Sequence, residues 1–184
     1  AIKSNWKDAW AHARRGMART EKGEFDQAIA DLTEAVKIDP KYAFGFGQRG
    51  QALFRKRLIT KKGGWEPAIA DYSEAIKLDP NLVWLYSSRG VAYSNNRQYD
   101  LAVTDCSEVI RREPKNSGGH NCRGVAYEGS KDYGRAITDY DQSISINPKN
   151  SVAYWNRGNA YMALRKIDDE IADYDQASAI NPKD

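Results

Sequence analysis

The sequence predicts an all-α fold, five antiparallel helix hairpins stacked in chain order as an α-solenoid. Three observations predict it. Five of the six prolines, Pro40, Pro80, Pro114, Pro148 and Pro182, follow one another at spacings of 40, 34, 34 and 34 residues. Arg-Gly pairs recur in step, with their glycines (Gly16, Gly50, Gly90, Gly124, Gly158) spaced by 34, 40, 34 and 34 residues. Between each glycine and its proline, apolar residues fall at intervals of three and four, which is helical spacing. A fixed period of this length is the mark of a stacked-repeat architecture.

The elements follow in order. Residues 1–8 form an N-terminal extension, in which Ile2 and Trp6 either lengthen the first helix or belong to a linker. Five units occupy 9–42, 43–82, 83–116, 117–150 and 151–184. The first helix of each carries the Arg-Gly pair, as in Ala153-Tyr154-Trp155-Asn156-Arg157-Gly158. The second is amphipathic, as in Ala68-Ile69-Ala70-Asp71-Tyr72-Ser73-Glu74-Ala75-Ile76. It stops at Asp39-Pro40, Asp79-Pro80, Glu113-Pro114, Asn147-Pro148 and Asn181-Pro182, because the residue before proline avoids the helical region. The short link after each proline sends the next helix back antiparallel. Gly inside a helix costs about 1 kcal/mol relative to Ala. Its return in all five units, with Ala28, Ala68, Ala102 and Ala136 in the second helices, implies close helix crossings that admit only small side chains.

The second unit carries six extra residues, within Arg57-Leu58-Ile59-Thr60-Lys61-Lys62-Gly63-Gly64. With Arg55 and Lys56 this stretch holds five basic residues. It is expected to lengthen the first helix and form a protruding basic turn, either a solvated loop or a contact for an acidic partner. Trp65 then fills the aromatic place held elsewhere by Phe25, Tyr99 and Tyr133, and Pro67 suits the first turn of the following helix.

Composition narrows the function classes. The 184 residues are 41% hydrophobic and 29% charged, with a formal net charge of +3. No apolar run reaches the roughly 18 residues of a membrane span, so no membrane insertion is expected. The start at Ala1 shows no basic-then-apolar secretory pattern; a non-Met first residue is expected of a chain that was processed or cut from a longer one. A cytoplasmic location is favoured, with the periplasm or another compartment open if a leader was removed. Cys106 and Cys122 are too few for a disulfide framework. Both fall on helices, so a bond between them is not expected, since it demands close Cα atoms. Two histidines, no metal-ligand spacing, no nucleophile–base pairing and no phosphate loop argue against an enzyme and against any cofactor.

The repeating residues resemble the tetratricopeptide repeat. Its pattern of aromatic, Gly and Tyr in the first helix, then Ala, aromatic, Ala and Pro in the second, reads Tyr86, Gly90, Tyr93, Ala102, Cys106, Val109 and Pro114 in the third unit. In the fifth it reads Tyr154, Gly158, Tyr161, Glu170, Tyr174, Ala177 and Pro182. The resemblance covers residues 9–184. There are departures. Glu170 replaces the small Ala, which predicts a splayed last hairpin, Cys106 replaces an aromatic, and His12 and His120 stand where an aromatic is usual.

The resemblance implies a right-handed superhelix whose first helices line a concave groove, and a protein or peptide as partner. By helical phase the groove holds Trp10, Ala13, Arg14 and Met17 from the first unit, and Phe44, Gly47, Gln48 and Gln51 from the second. It continues with Trp84, Ser87, Ser88 and Val91, then Gly118, Asn121, Cys122 and Val125, and last Val152, Trp155, Asn156 and Asn159. Large aromatics alternate with neutral amides and hydroxyls. Trp10, Trp84 and Trp155 either anchor a partner or pack between repeats. One branch of the family clamps the C-terminal carboxylate of chaperones with Lys, Asn and Arg. Its positions here hold Ala13, Met17, Gln48, Trp84 and Ser88, so no such binding is expected.

The family usually has Leu before the repeating Gly, and this chain has Arg every time. Each Arg stands as far before the hairpin turn as an Asp stands after it in the regular units. The pairs Arg15–Asp31, Arg49–Asp71, Arg89–Asp105, Arg123–Asp139 and Arg157–Asp173 are therefore expected as structural ion pairs, with the neighbouring unit's Asp as the alternative target.

Two further readings stand beside the scaffold. Nucleic acid is suggested by a pI near 8.8 and the basic turn, but the basic residues do not form a stripe along the groove. Self-assembly, as a homodimer through the C-terminal edge, is suggested because Ile171, Tyr174 and Ile180 lack a full neighbour and no polar capping element follows them.

Overall fold

A computed structural model describes residues 6–182; Ile2, Lys183 and Asp184 lie outside the described residues. Ten helices run α1 Trp6–Lys22, α2 Phe25–Ile38, α3 Ala43–Thr60, α4 Glu66–Leu78, α5 Val83–Asn95, α6 Tyr99–Arg112, α7 Ser117–Gly129, α8 Tyr133–Ile146, α9 Ser151–Ala163 and α10 Ile167–Ile180. No strand occurs among the described residues. The chain divides into two compact units, residues 1–92 and 93–184, with the division inside α5.

In the first unit α1 packs on α2 and α3 on α4, and the first helices α1 and α3 also touch. One core joins Ala13, Ala28, Leu32, Ala35 and Ala52; a second joins Ala68, Tyr72, Ala75, Leu85 and Ala92. In the second unit α6 packs on α7, α7 on α8, α8 on α9 and α9 on α10, with α7 also meeting α9. Its core is built on Ala136, Tyr140 and Ala160.

The second helix of each hairpin ends as its proline dictates. Asp39, Asp79 and Asn147 are extended (φ −128°, −140° and −133°) at the helix C-cap. Their side-chain oxygens accept the N–H two residues on, in Lys41, Asn81 and Lys149, at 3.0–3.2 Å. The turns inside the hairpins use another device. Gly23, Arg97, Lys131 and Arg165 stand seven residues after the repeating Gly of their units, and all four adopt positive φ (57–80°).

Four of the repeating glycines face the large residue of their hairpin's second helix. A Cβ on Gly16 would lie 2.6 Å from the Leu32 side chain, on Gly50 2.9 Å from the Tyr72 ring, on Gly124 2.5 Å from Tyr140 and on Gly158 2.8 Å from Tyr174. Tyr174 thus seats on Gly158 as its counterparts do. The last hairpin is not splayed at that level despite Glu170, which is half-buried.

The cysteines differ from the sequence expectation. Cys106 on α6 and Cys122 on α7 are disulfide-bonded, with their Cα atoms 5.8 Å apart. The reason is register. They are separated by 16 residues, the offset that also sets Thr33 beside Arg49, Ser73 beside Arg89 and Ser107 beside Arg123. A second helix and the first helix of the next repeat meet there, so helical location does not keep the two thiols apart.

The insertion lengthens α3, which ends ten residues after Gly50, whereas α5, α7 and α9 end five residues after their glycines. Lys61 then turns with φ 59° and Gly63 with φ 82°. Of the five basic residues, Arg55 reaches Glu21 at 2.6 Å, Lys56 reaches Asp26 at 2.5 Å, and Arg57 lies over the Trp65 ring at 4.9 Å. Lys61 and Lys62 stay exposed. Trp65 packs on Phe54 with ring centroids 5.1 Å apart.

Candidate functional site

Within each unit the Arg-Gly arginines tie together helices that carry the expected groove residues. Arg15 donates through Nε and Nη2 to both carboxylate oxygens of Asp31 at 2.8 and 2.6 Å. Arg49 does so to Asp71 at 2.7 Å twice, Arg123 to Asp139 at 2.8 and 2.7 Å, and Arg157 to Asp173 at 2.8 and 2.6 Å. These are fork-to-fork pairs, geometrically specific as well as charge-assisted. Arg89 belongs to the first unit and Asp105, which is buried, to the second. The third guanidinium nitrogen reaches back one repeat, Arg49 to Thr33 at 3.3 Å, Arg89 to Ser73 at 3.0 Å, Arg123 to Ser107 at 3.2 Å and Arg157 to Asp141 at 2.5 Å. Each acceptor stands two residues after the Asp of its own repeat, in a periodic Asp-x-Ser/Thr/Asp motif that could have been read from the sequence. One arginine therefore closes its own hairpin and fastens it to the preceding one. The Asp31 carboxyl titrates below its ordinary range, chiefly because of the Arg15 hydrogen bond.

Within the first unit the structure gathers Arg14, Met17, Gln48 and Gln51 around one open cavity of about 310 Å³. Ala13 and Gly47 are buried. The ring of Trp84 fills the space beside Gly47, 2.6 Å from where a Cβ would stand, and meets Phe44 edge-on at 6.2 Å. Trp84 is thus half-buried packing between consecutive repeats. Ser87 and Ser88 are half-buried and Val91 exposed. Trp10 is 52% exposed, with Arg14 over its face at 5.7 Å.

In the second unit Cys122 is buried in the disulfide and offers no groove surface, while Gly118 is exposed. Val125, Asn156 and Asn159 line a cavity of about 640 Å³. Asn156 Nδ2 donates to Asn121 Oδ1 at 3.1 Å, which leaves Asn156 Oδ1 as an acceptor. Asn159 Oδ1 accepts from the Tyr174 hydroxyl at 2.8 Å, which leaves its Nδ2 as a donor. One helical turn of α9 thus offers an acceptor and a donor, the two groups an extended backbone needs. Trp155 is 54% exposed against Tyr174, ring centroids 5.1 Å apart, and with Val152 borders a second cavity of about 340 Å³.

Sequence reasoning missed the far end of this cavity, lined by Ser94, Glu128 and Met162. All three stand four residues after the repeating Gly. Carrying the helical phase one turn beyond Val91, Val125 and Asn159 would have found them. Glu128 Oε2 accepts the hydroxyl of fully buried Tyr140 at 2.6 Å, and burial raises the Glu128 pKa.

Among the described residues no group of three His, Cys, Asp or Glu is placed to hold a metal, and no helix is long and apolar enough to cross a membrane. A profile described as tetratricopeptide repeat matches residues 9–42. A second with that description matches 85–116 and 151–184, and one described as TPR repeat matches 58–96 and 130–164. No protein of curated function matches the chain at the level of sequence. Solved structures share the fold. A double mutant of MamA RS-1 has a TM-score of 0.77 at 16% identity, over 95% of each chain. A crystal structure of MamA has 0.74 at 23% identity, covering 91% of this chain and 95% of the other. YrrB, described as a TPR protein with an unusual peptide-binding site, has 0.71 at 17% identity, covering all of this chain and 91% of its own.

Proposed function

Because the chain belongs to the tetratricopeptide-repeat family, we propose that it is a protein-interaction scaffold that holds an extended segment of a partner against its first helices. The observation that carries this reading is the second-unit cavity, where Asn156 and Asn159 leave one acceptor and one donor unsatisfied beside apolar surface. Such a lining binds backbone by hydrogen bonds and side chains by contact. The peptide-binding site in YrrB's description supports the same use of the fold. The first-unit cavity, with Gln48 and Gln51, offers the same kind of surface. The groove lacks the basic set of a carboxylate clamp, so the partner is engaged along its length and not by its terminus. The test is peptide binding by fluorescence anisotropy with the wild type and with Asn156→Ala/Asn159→Ala. A loss of about tenfold or more is expected from two backbone-directed hydrogen bonds. Unchanged affinity in the double variant sinks the reading.

A second reading rests on α10, where Ile167 is 63% and Ile171 54% exposed. Apolar residues one helical turn apart favour association with a second copy. Light scattering at two concentrations, with Ile167→Ser/Ile171→Ser as control, decides it. The Cys106–Cys122 bond favours an oxidising compartment, against the cytoplasmic location that the sequence favours.

A further inference from the structure

The second-unit cavity has a chemical preference built into it. Its lining comes from the end of α5, from α6, α7 and α8, and from α9, so a segment lying in it crosses three consecutive repeats. Among its lining residues Glu128 alone carries a formal charge. The rest are apolar, aromatic, hydroxyl or amide.

Glu128 is poorly matched to its surroundings. It is half-buried, and its single hydrogen bond runs from Tyr140 to Oε2. Oε1 has no protein partner among the described residues, and no lysine or arginine stands within ion-pair distance. By contrast, the buried carboxylates of Asp31, Asp71, Asp139 and Asp173 each meet a guanidinium. Of the two arginines nearest in sequence, Arg123 is engaged with Asp139 and Ser107, and Arg135 has its fork on Asp132 and its face over Tyr127 at 4.3 Å. The Tyr174 hydroxyl pKa is raised first by burial and then by the negative charges of Glu170 and Glu128. A carboxylate removed from water without a counter-charge is destabilising, and a cation delivered to it from outside recovers that loss. The amides on α9 add no charge that competes.

We propose that Glu128 selects the partner: the groove of the second unit takes an extended polypeptide that places a lysine or arginine side chain against this carboxylate, while Asn156 and Asn159 hold the adjoining backbone. The proposal rests on the groove reading above and narrows it to basic segments. The cation bonds Oε1, and the Tyr140 hydroxyl keeps Oε2 in place. Tyr140 is therefore a positioning residue.

The experiment uses the full chain and a fluorescein-labelled positional-scanning octapeptide library, read by anisotropy. Wild type is expected to favour sublibraries with Arg or Lys fixed at one position by about tenfold over those with Gln or Glu there. Glu128→Gln keeps an oxygen for Tyr140 and removes the charge; it should bind the library and lose the basic preference. Glu128→Lys should shift the preference to Asp and Glu, with circular dichroism melts confirming that both variants fold. Binding with no basic preference in the wild type, or with the same preference in Glu128→Gln, overturns this proposal and leaves the groove reading standing. Absence of binding by every sublibrary overturns both.

Discussion

At the scale of single residues, the arginine before each repeating glycine is the chain's main departure from its family, and its geometry explains its presence. A leucine there would pack within one hairpin. Arginine bonds both oxygens of its own Asp and, with the remaining nitrogen, a hydroxyl or carboxylate one repeat back, as Arg123 does with Asp139 and Ser107. Asp139 is only 3% exposed, while Arg123 keeps 26% of its side chain in water. Asp139→Leu should then cost about 2–3 kcal/mol, below the roughly 3–5 kcal/mol of a fully buried pair because Arg123 stays partly hydrated. Arg123→Leu/Asp139→Leu should recover part of that loss, since no lone charge is left buried. Urea melts of the two single variants and the double check it. If the double variant is destabilised by the sum of the singles, the pair carries no coupling.

At the scale of the hairpin, the turn between helices was only partly legible in the sequence. The prolines announced where each second helix ends, and Asp39, Asp79 and Asn147 take the extended conformation that a following proline imposes. The other turn hid its rule. Gly23 declares a left-handed residue in the first unit, but Arg97, Lys131 and Arg165 take the same conformation with side chains that ordinarily avoid it. Hairpin closure overrides local preference there. Lys131 is exposed and at φ 67°, so Lys131→Gly should raise stability by up to about 1 kcal/mol, the left-handed strain relieved less the entropy that glycine adds to the unfolded chain. A melting temperature that falls instead would show that the lysine side chain makes a contact worth more than its strain. The disulfide was missed for a related reason. The Arg-to-Asp spacing shows the 16-residue offset within a hairpin, but it is the same offset between neighbouring hairpins that unites Cys106 with Cys122.

At the scale of the whole molecule, helical phase in the first helices names Val125, Asn156 and Asn159, which line the second-unit cavity, and one further turn of the same phase reaches Glu128. Two carboxyls also give folding stability opposite dependences on pH. Asp31 titrates below its ordinary range because Arg15 bonds its ionised form, with Arg19 adding to the attraction. Its contribution is present above the unfolded-state value and is lost as pH falls through the folded one. Glu128 is raised by burial, so the folded state favours its neutral form, and that advantage is lost as pH rises through the folded value. Urea melts at about pH 7, 5 and 3 separate the two. Asp31→Asn should be less stable than wild type at the highest pH, with the gap closing toward the lowest. Glu128→Gln should be more stable than wild type at the highest pH, with its advantage shrinking as Glu128 takes up a proton. A Glu128→Gln variant less stable than wild type at neutral pH would mean that the carboxylate holds the fold. A gain there, together with loss of the basic-peptide preference, would place Glu128 among residues retained for binding at the expense of stability.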